Sequence, residues 1–254
     1  LTDSLKTRLQ RGDKLASTFV KTASHQNMEV LCGSGLDFVV IDAEHAPFSV
    51  TDLDVNIMAA RSRQMPVLVR VPDAQAATLL QVLDMGAQGL LIPHAKTPEG
   101  VRTDLEKTRY VQGTRGFSNS PRAGMYGKTS MAEHVRRSDE EVVCIFQIED
   151  AQAVEHVDEL AQIPEVTGYL IGRADLAVSL GSTDIQSSVV TQAVAKVAQA
   201  CQQHGKPLGI FVSDVAEIPR WLELGMSFFI IGSDQSYLSR HATGVAQAFS
   251  TLQK

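Results

Sequence analysis

Four short stretches end in side chains able to do polar chemistry: Asp42-Ala43-Glu44-His45, Arg70, Gln147-Ile148-Glu149 and Gly172-Arg173-Ala174-Asp175. Glu149 and Asp175 offer hard carboxylate oxygens, the ligand type suited to Mg²⁺ or Mn²⁺, and leave coordination positions for water and substrate. Arg70 is a donor for an oxygen that gains negative charge. His45, with Asp42 close by to orient its ring, is a group able to move a proton near neutral pH. Each has a plainer reading when taken alone: Asp42 as a helix cap, Arg70 as a structural ion pair, Glu149 as a helix start. Their convergence on one surface would be the equipment for enolate chemistry.

Other chemistries lack their residues. There is no HExxH, and the DAEH stretch lacks the pair of histidines four residues apart on a helix that a zinc protease needs; no GxSxG elbow occurs. Cys32, Cys144 and Cys201 are too far apart for a CxxC knuckle and odd in number, so buried free thiols are expected. His94 also ends an apolar run. His25, His134, His156, His204 and His241 fall on expected helices or loops and receive no role.

The elements that must position these groups follow from the patterning. Eight β-branched runs recur: 15–20, 37–42, 66–71, 89–94, 142–149, 167–172, 207–212 and 227–232. Between them lie segments with apolar residues three and four apart, such as Ser49 to Arg63, Ala74 to Met85, Ala151 to Gln162, Gln186 to His204 and Asp214 to Leu224. Eight such units predict a closed α/β barrel, (β/α)₈, rather than an open doubly wound sheet, and no GxGxxG follows the first strand. In a barrel the four reactive stretches stand at the C-terminal ends of strands and face one mouth. The stretch from Ala95 to Glu141, rich in glycine, breaks the rhythm and is expected to be largely an irregular loop over that mouth.

A chain of 254 residues, 44% hydrophobic, suits one domain with one large core. The 23 basic and 29 acidic residues give a net charge of -6 and form no basic run, so nucleic acid is not an expected partner. No apolar stretch reaches the roughly 20 residues of a membrane span, and the N-terminus reads as a short polar helix; the expected setting is cytoplasmic.

On GLDFVVIDAEHAPFS (35–49), PVLVRV (66–71), LLQVLDMGAQGLLIPH (79–94), FQIED (146–150), GYLIGRADLAVSLG (168–181), GKPLGIFV (205–212) and LELGMSFFIIGSD (222–234), the chain resembles the HpcH/HpaI aldolases. These are class II pyruvate aldolases, including hydroxy-oxo-heptanedioate and dehydro-deoxyglucarate aldolases. The resemblance implies a TIM barrel of the phosphoenolpyruvate/pyruvate type and a divalent metal, Mg²⁺, Mn²⁺ or Co²⁺, on Glu149 and Asp175. It implies that backbone amides from Gly172 through Arg173 and Ala174 to Asp175 cradle the pyruvate carboxylate. It further implies that Arg70 contacts the keto oxygen, that Gln147 belongs to the metal and substrate shell, and that His45, supported by Asp42, transfers protons through water. Asp84 matches an acidic residue that approaches the site from an adjacent subunit. The implied substrates are a 2-oxo acid and an aldehyde. The implied assembly is a homohexamer, a trimer of dimers with exchanged C-terminal helices.

Three departures bear on the second substrate: Arg173 stands where many members have proline, the 114–127 loop diverges after Arg115-Gly116, and Lys21 replaces a commonly neutral residue. Competing readings are a Schiff-base aldolase using Lys21 or Lys96, a metal-enolate lyase or synthase acting on oxaloacetate or a CoA thioester, and a binding barrel without turnover.

Overall fold

The computed structural model describes residues 3–252. A short helix α1 (Leu5–Arg11) leads into β1 (Leu15–Val20). There follow α2 (His25–Cys32), β2 (Phe38–Asp42), α3 (Val50–Ser62), β3 (Val67–Arg70), α4 (Ala76–Asp84), β4 (Gly89–Ile92), α5 (Pro98–Glu106), α6 (Met131–Glu141) and β5 (Val143–Ile148). The chain continues through α7 (Ala151–Glu155), α8 (Val157–Ala161), β6 (Gly168–Ile171), α9 (Arg173–Ser179), α10 (Ser188–Gln203), β7 (Leu208–Val212), α11 (Ile218–Glu223), β8 (Phe228–Ser233) and α12 (Asp234–Thr251). The eight strands are parallel and close in sequence order, β8 pairing with β1. This is the (β/α)₈ barrel that the repeated units predict.

Two apolar layers explain the closure. Strand residues pointing outward, such as Val39, Ile41, Val69 and Ile171, pack against the helices, which hold every strand buried on both faces. Inward residues form a separate cluster, with Phe38, Val143 and Phe228 at the strand starts, and Leu5 and Leu9 of α1 join it. The N-terminal helix is therefore not simply polar: two leucines four residues apart plug the base of the barrel. Gly209 makes room inside, since a Cβ there would meet the Phe228 ring at 2.2 Å.

The segment between β4 and β5 differs from the expected loop. It contains α5 and α6, and what joins them packs on the barrel flank rather than over the mouth. Arg122, in a 3-10 turn (Arg122–Gly127), donates to Asp54 of α3 at 2.7 Å and to the Met85 carbonyl at 2.7 Å; Arg115 donates to Asp84 at 2.8 Å. Ion pairs to α3 and α4 set this course, and the glycine content alone does not reveal it. The Ala151 to Gln162 segment is two helices rather than one, broken at His156, whose φ of -95° and ψ of 10° leave the helical region.

Candidate active site

The C-terminal strand ends surround a cavity of about 380 Å³ lined by Lys21, His45, Arg70, Gln147, Gly172, Arg173, Ala174 and Asp175, with Phe19, Ile185 and Phe211 as its apolar wall. Arg70 is its best-fixed cation. It is 7% exposed, and Asp42, fully buried at the adjacent strand end, takes both Nε at 2.9 Å and Nη2 at 2.8 Å. The guanidinium lies 4.4 Å from the centroid of the Phe19 ring. Among the described residues Nη1 donates to no protein atom, so one edge of this rigid fork is free to bind.

Asp42 therefore acts differently from the sequence expectation. Both its oxygens serve Arg70, and Oδ1 also accepts the backbone N–H of His45 at 3.1 Å, so it shapes the turn rather than orienting the imidazole ring. Burial alone would push its carboxyl up; the hydrogen bonds and charge of Arg70, helped by the His45 amide and Lys21, hold it below the usual carboxylate range. The ring of His45 faces Glu44 instead, with Nε2 3.8 Å from Oε2. Glu44 also reaches Arg70 Nε at 3.3 Å. It stands inside the DAEH stretch without a role in the sequence reading, and its neighbours there are the signal that finds it.

Behind the Gln147 and Gly172 part of the lining, Glu149 is 3% exposed. Its Oε1 accepts the backbone N–H of His94 at 2.9 Å, and its Oε2 accepts Gln147 Nε2. His94 holds this position at a φ of +58°, a backbone setting uncommon for a residue with a Cβ. Its ring Nδ1 contacts Asp150 at 3.0 Å and lies 3.5 Å from Glu149 Oε1, so His94 meets the site through its amide and its ring. Burial pushes the Glu149 carboxyl up, and the negative charges of Asp175 and Glu44 add to that, against the His94 amide. A Cβ on Gly172 would come within 2.7 Å of Glu149 Oε2 and 3.0 Å of Gln147 Nε2, so glycine keeps the space beside these groups open.

This arrangement fits a hard divalent cation. The Glu149 carboxylate, whose proton affinity the charge of Asp175 helps to raise, stands beside a buried amide oxygen, Gln147 Oε1, that has no hydrogen-bond partner. Among the described residues no three His, Cys, Asp or Glu side chains gather as a metal cluster, so the protein's share would be Glu149 and Asp175 with Gln147 nearby.

Arg173 lines the cavity, and Asp84 does not. Arg173 is buried, its Nη2 bound to Glu217 at 2.8 Å and to the Phe211 carbonyl at 3.2 Å, with the Trp221 ring 5.0 Å away. Its charge is paired with Glu217 through Nη2, while Nε and Nη1 are buried without a hydrogen-bond partner. Asp84 lies outside the mouth, in a flank groove of about 690 Å³ shared with Asp54, Pro121, Arg122 and Tyr126. A further residue, Asp234, follows β8 as the other polar groups follow their strands. It is buried and accepts the backbone N–H groups of Lys21 at 2.9 Å and Thr22 at 3.0 Å, which fixes the turn carrying Lys21.

Comparison with known proteins agrees with this geometry. The HpcH/HpaI aldolase/citrate lyase family matches residues 16–241. The 5-keto-4-deoxy-D-glucarate aldolase of Salmonella newport (strain SL254) is 34% identical over 229 residues, 89% of either chain. An HpcH/HpaI aldolase/citrate lyase family protein from Burkholderia cenocepacia J2315 superposes with a TM-score of 0.92 at 30% identity over the whole of both chains. The citrate synthase SbnG does so with 0.88 at 30% identity over 99% of each. The chain thus belongs to the HpcH/HpaI aldolase/citrate lyase family, as an aldolase-type enzyme of carbon–carbon bond cleavage.

Proposed function

We propose that the protein is a divalent-metal-dependent aldolase that cleaves or forms 4-hydroxy-2-oxo acids through a pyruvate enolate and an aldehyde. The observation that carries this reading is the gathering of two groups at one small cavity: the Arg70 fork fixed by Asp42, and the carboxylates of Glu149 and Asp175 beside the open space at Gly172. A bound Mg²⁺ or Mn²⁺, with Co²⁺ a third candidate, would supply Lewis-acid polarisation of a 2-oxo acid from the Glu149 and Asp175 side. Arg70 Nη1 donates to the oxygen that gains charge as the carbon–carbon bond breaks, at no reorganisation cost because Asp42 already holds the guanidinium. Amides of Arg173, Ala174 and Asp175 bind the substrate carboxylate, while the Gly172 N–H of the expected cradle is taken by the Ile148 carbonyl at 3.1 Å; Gln147 positions Glu149 while presenting its amide oxygen. His45, whose ring is 55% exposed at the mouth, exchanges a proton with the aldehyde-derived hydroxyl through water.

Chelator treatment and metal add-back test the reading directly. Cleavage of a 4-hydroxy-2-oxo acid, and exchange of pyruvate methyl protons with solvent deuterium, should both stop on chelation and return with Mg²⁺ or Mn²⁺. A borohydride-trapped pyruvate adduct in chelator would instead support a Schiff base. Lys21 lies in the cavity with Nζ 3.4 Å from Asp42, whereas Lys96 is half exposed and pairs with Asp150 at 3.6 Å.

A second reading draws on the likeness to the citrate synthase SbnG: the same enolate with oxaloacetate or a CoA thioester as the electrophile. Consumption of those substrates, with none of the aldehyde, would favour it.

We further propose a cytoplasmic homo-oligomer, with a hexamer as the expected form. No side chain of α12 after Asp234 is buried, and Leu238, Val245 and Phe249 stand exposed along it, a helix whose apolar face fits a second copy. Asp84 lines an open groove outside its own mouth, which supports its serving a neighbour's site in this assembly.

A further inference from the structure

At the opposite end of the barrel from the mouth lies a smaller cavity, of about 250 Å³, between the end of α3, the turn joining α4 to β4, and α6. Three arginines line it, Arg61, Arg115 and Arg137, with Glu141 as the acidic member of the lining. Arg61 Nη1 donates to the Gly86 carbonyl at 2.8 Å and Arg137 Nη2 to the Ala123 carbonyl at 2.6 Å. Among the described residues neither guanidinium has an ion-pair partner, whereas Arg115 and Arg122 are matched by Asp84 and Asp54.

Arg115 is the deepest of the three. Its side chain is 1% exposed, Nη2 donates to Asp84 at 2.8 Å, and Nε is buried without a partner. Nη1 makes no hydrogen bond among the described residues, and the residue lines the cavity. The Arg115 guanidinium is held 4.4 Å from the Tyr110 ring centroid. Arg61 is held in turn by Gly86, whose φ of +91° and missing Cβ let the guanidinium lie against the turn; a Cβ would meet it at 3.2 Å. Burial, then the charges of Arg122 and Arg137, lowers the proton affinity of Arg61, a sign of crowded positive charge.

We infer that this cavity binds a small oxyanion of the phosphate class, free or as the phosphate end of a larger molecule. Guanidinium groups approaching from α3, from α6 and from the buried Arg115 suit a tetrahedral dianion, which accepts hydrogen bonds on several sides, better than a planar carboxylate. The volume of about 250 Å³ holds the oxyanion with room for water or for part of a molecule that carries it. Bound there, it would join α3 to α6 and share Arg115 with Asp84.

The test is calorimetric titration of the whole protein with inorganic phosphate at constant ionic strength set with chloride. Saturable binding at one site per chain is expected. It should weaken about tenfold in Arg61→Gln or Arg137→Gln, a loss of one charge-assisted contact in each, and vanish in the double variant. Arg136→Gln, on the same helix but paired outward with Glu133 and Glu140, should bind as the wild type does. Should the double variant fail to fold, the two single variants decide. No saturable binding in the wild type, or unchanged affinity in the variants, overturns the inference. So does binding displaced by pyruvate, which would place the anion at the mouth. Glycerol phosphate in a parallel titration distinguishes the sources: tighter binding than inorganic phosphate assigns a carried phosphate, weaker binding a free one.

Discussion

A methyl group on Gly172 would sit 2.7 Å from Glu149 Oε2, closer than real Cβ contacts come. Glu149 cannot withdraw freely, because both its oxygens are held, one by the His94 amide and one by Gln147. Gly172→Ala should therefore displace the carboxylate without unfolding the barrel. We expect kcat/KM to fall about a hundredfold, as for a misplacement of about 1 Å at a reacting centre, with an unchanged circular dichroism spectrum. Wild-type turnover in this variant would show that Glu149 need not stand where it does.

Arg70→Ala should be costly twice over. It removes the donor to the developing oxyanion, so aldol turnover should be abolished, and it leaves the fully buried Asp42 carboxylate with only the His45 amide and the 3.4 Å approach of Lys21. Breaking a buried pair in this way costs about 3–5 kcal/mol, which denaturant unfolding should register. Arg70→Ala,Asp42→Ala should recover part of that stability and none of the turnover, because neither charge is then stranded.

Lys21 should govern selectivity rather than chemistry. Its Nζ has only a 3.4 Å approach to an Asp42 oxygen that Arg70 already occupies, and it lines the mouth where Arg173 is neutralised by Glu217. Lys21→Met should lower kcat/KM about tenfold for an aldehyde that ends in a carboxylate, the loss of one exposed charge-assisted contact. A neutral aldehyde of the same length should react as before. Equal effects on both aldehydes would remove Lys21 from substrate recognition.

His134 gives stability a dependence on pH. It is fully buried, its Nδ1 2.8 Å from Asn119 Oδ1 and its Nε2 without a partner. Burial first, then the charges of Arg115 and Arg137, lowers its pKa below the ordinary histidine value. With the folded value depressed, protonation favours the unfolded chain, so its contribution is complete above pH of about 6.5 and declines as pH falls below it. His134→Gln should flatten this part of the profile in unfolding measured from pH 7.5 to 5.5. A slope equal to that of the wild type would assign the loss to other groups.

His45→Ala separates proton transfer from binding. With its ring 55% exposed and holding only a 3.8 Å contact to Glu44, the side chain contributes little to the fold. Pyruvate should bind the variant nearly as well, while solvent exchange of its methyl protons slows about a hundredfold, the scale of general acid–base assistance. A loss of pyruvate affinity as large as the loss of exchange would make His45 a binding group.

The barrel was legible because strands buried on both faces write themselves as unbroken apolar runs, and all eight fall within two residues of their expected bounds. The strand-end groups were legible for the same reason: a polar residue closing such a run has one mouth to face. Pairings across the sheet were not. Asp42 lies beside Arg70 by strand register, at a separation of 28 residues, and a reading along the chain gives it instead to the nearby His45. The counter-ion of Arg173, Glu217, lies 44 residues on and is likewise invisible along the chain. His94 contributes a backbone amide, which has no letter in the sequence.

Leu5 and Leu9 stopper one end of the barrel, and the packed interior below the strand ends leaves traffic a single door. Molecules that share one doorway queue: what settles deepest, beside Glu149, enters first and leaves last. For two substrates, that makes kinetic order a property inherited from a seven-residue helix on the far side of the molecule.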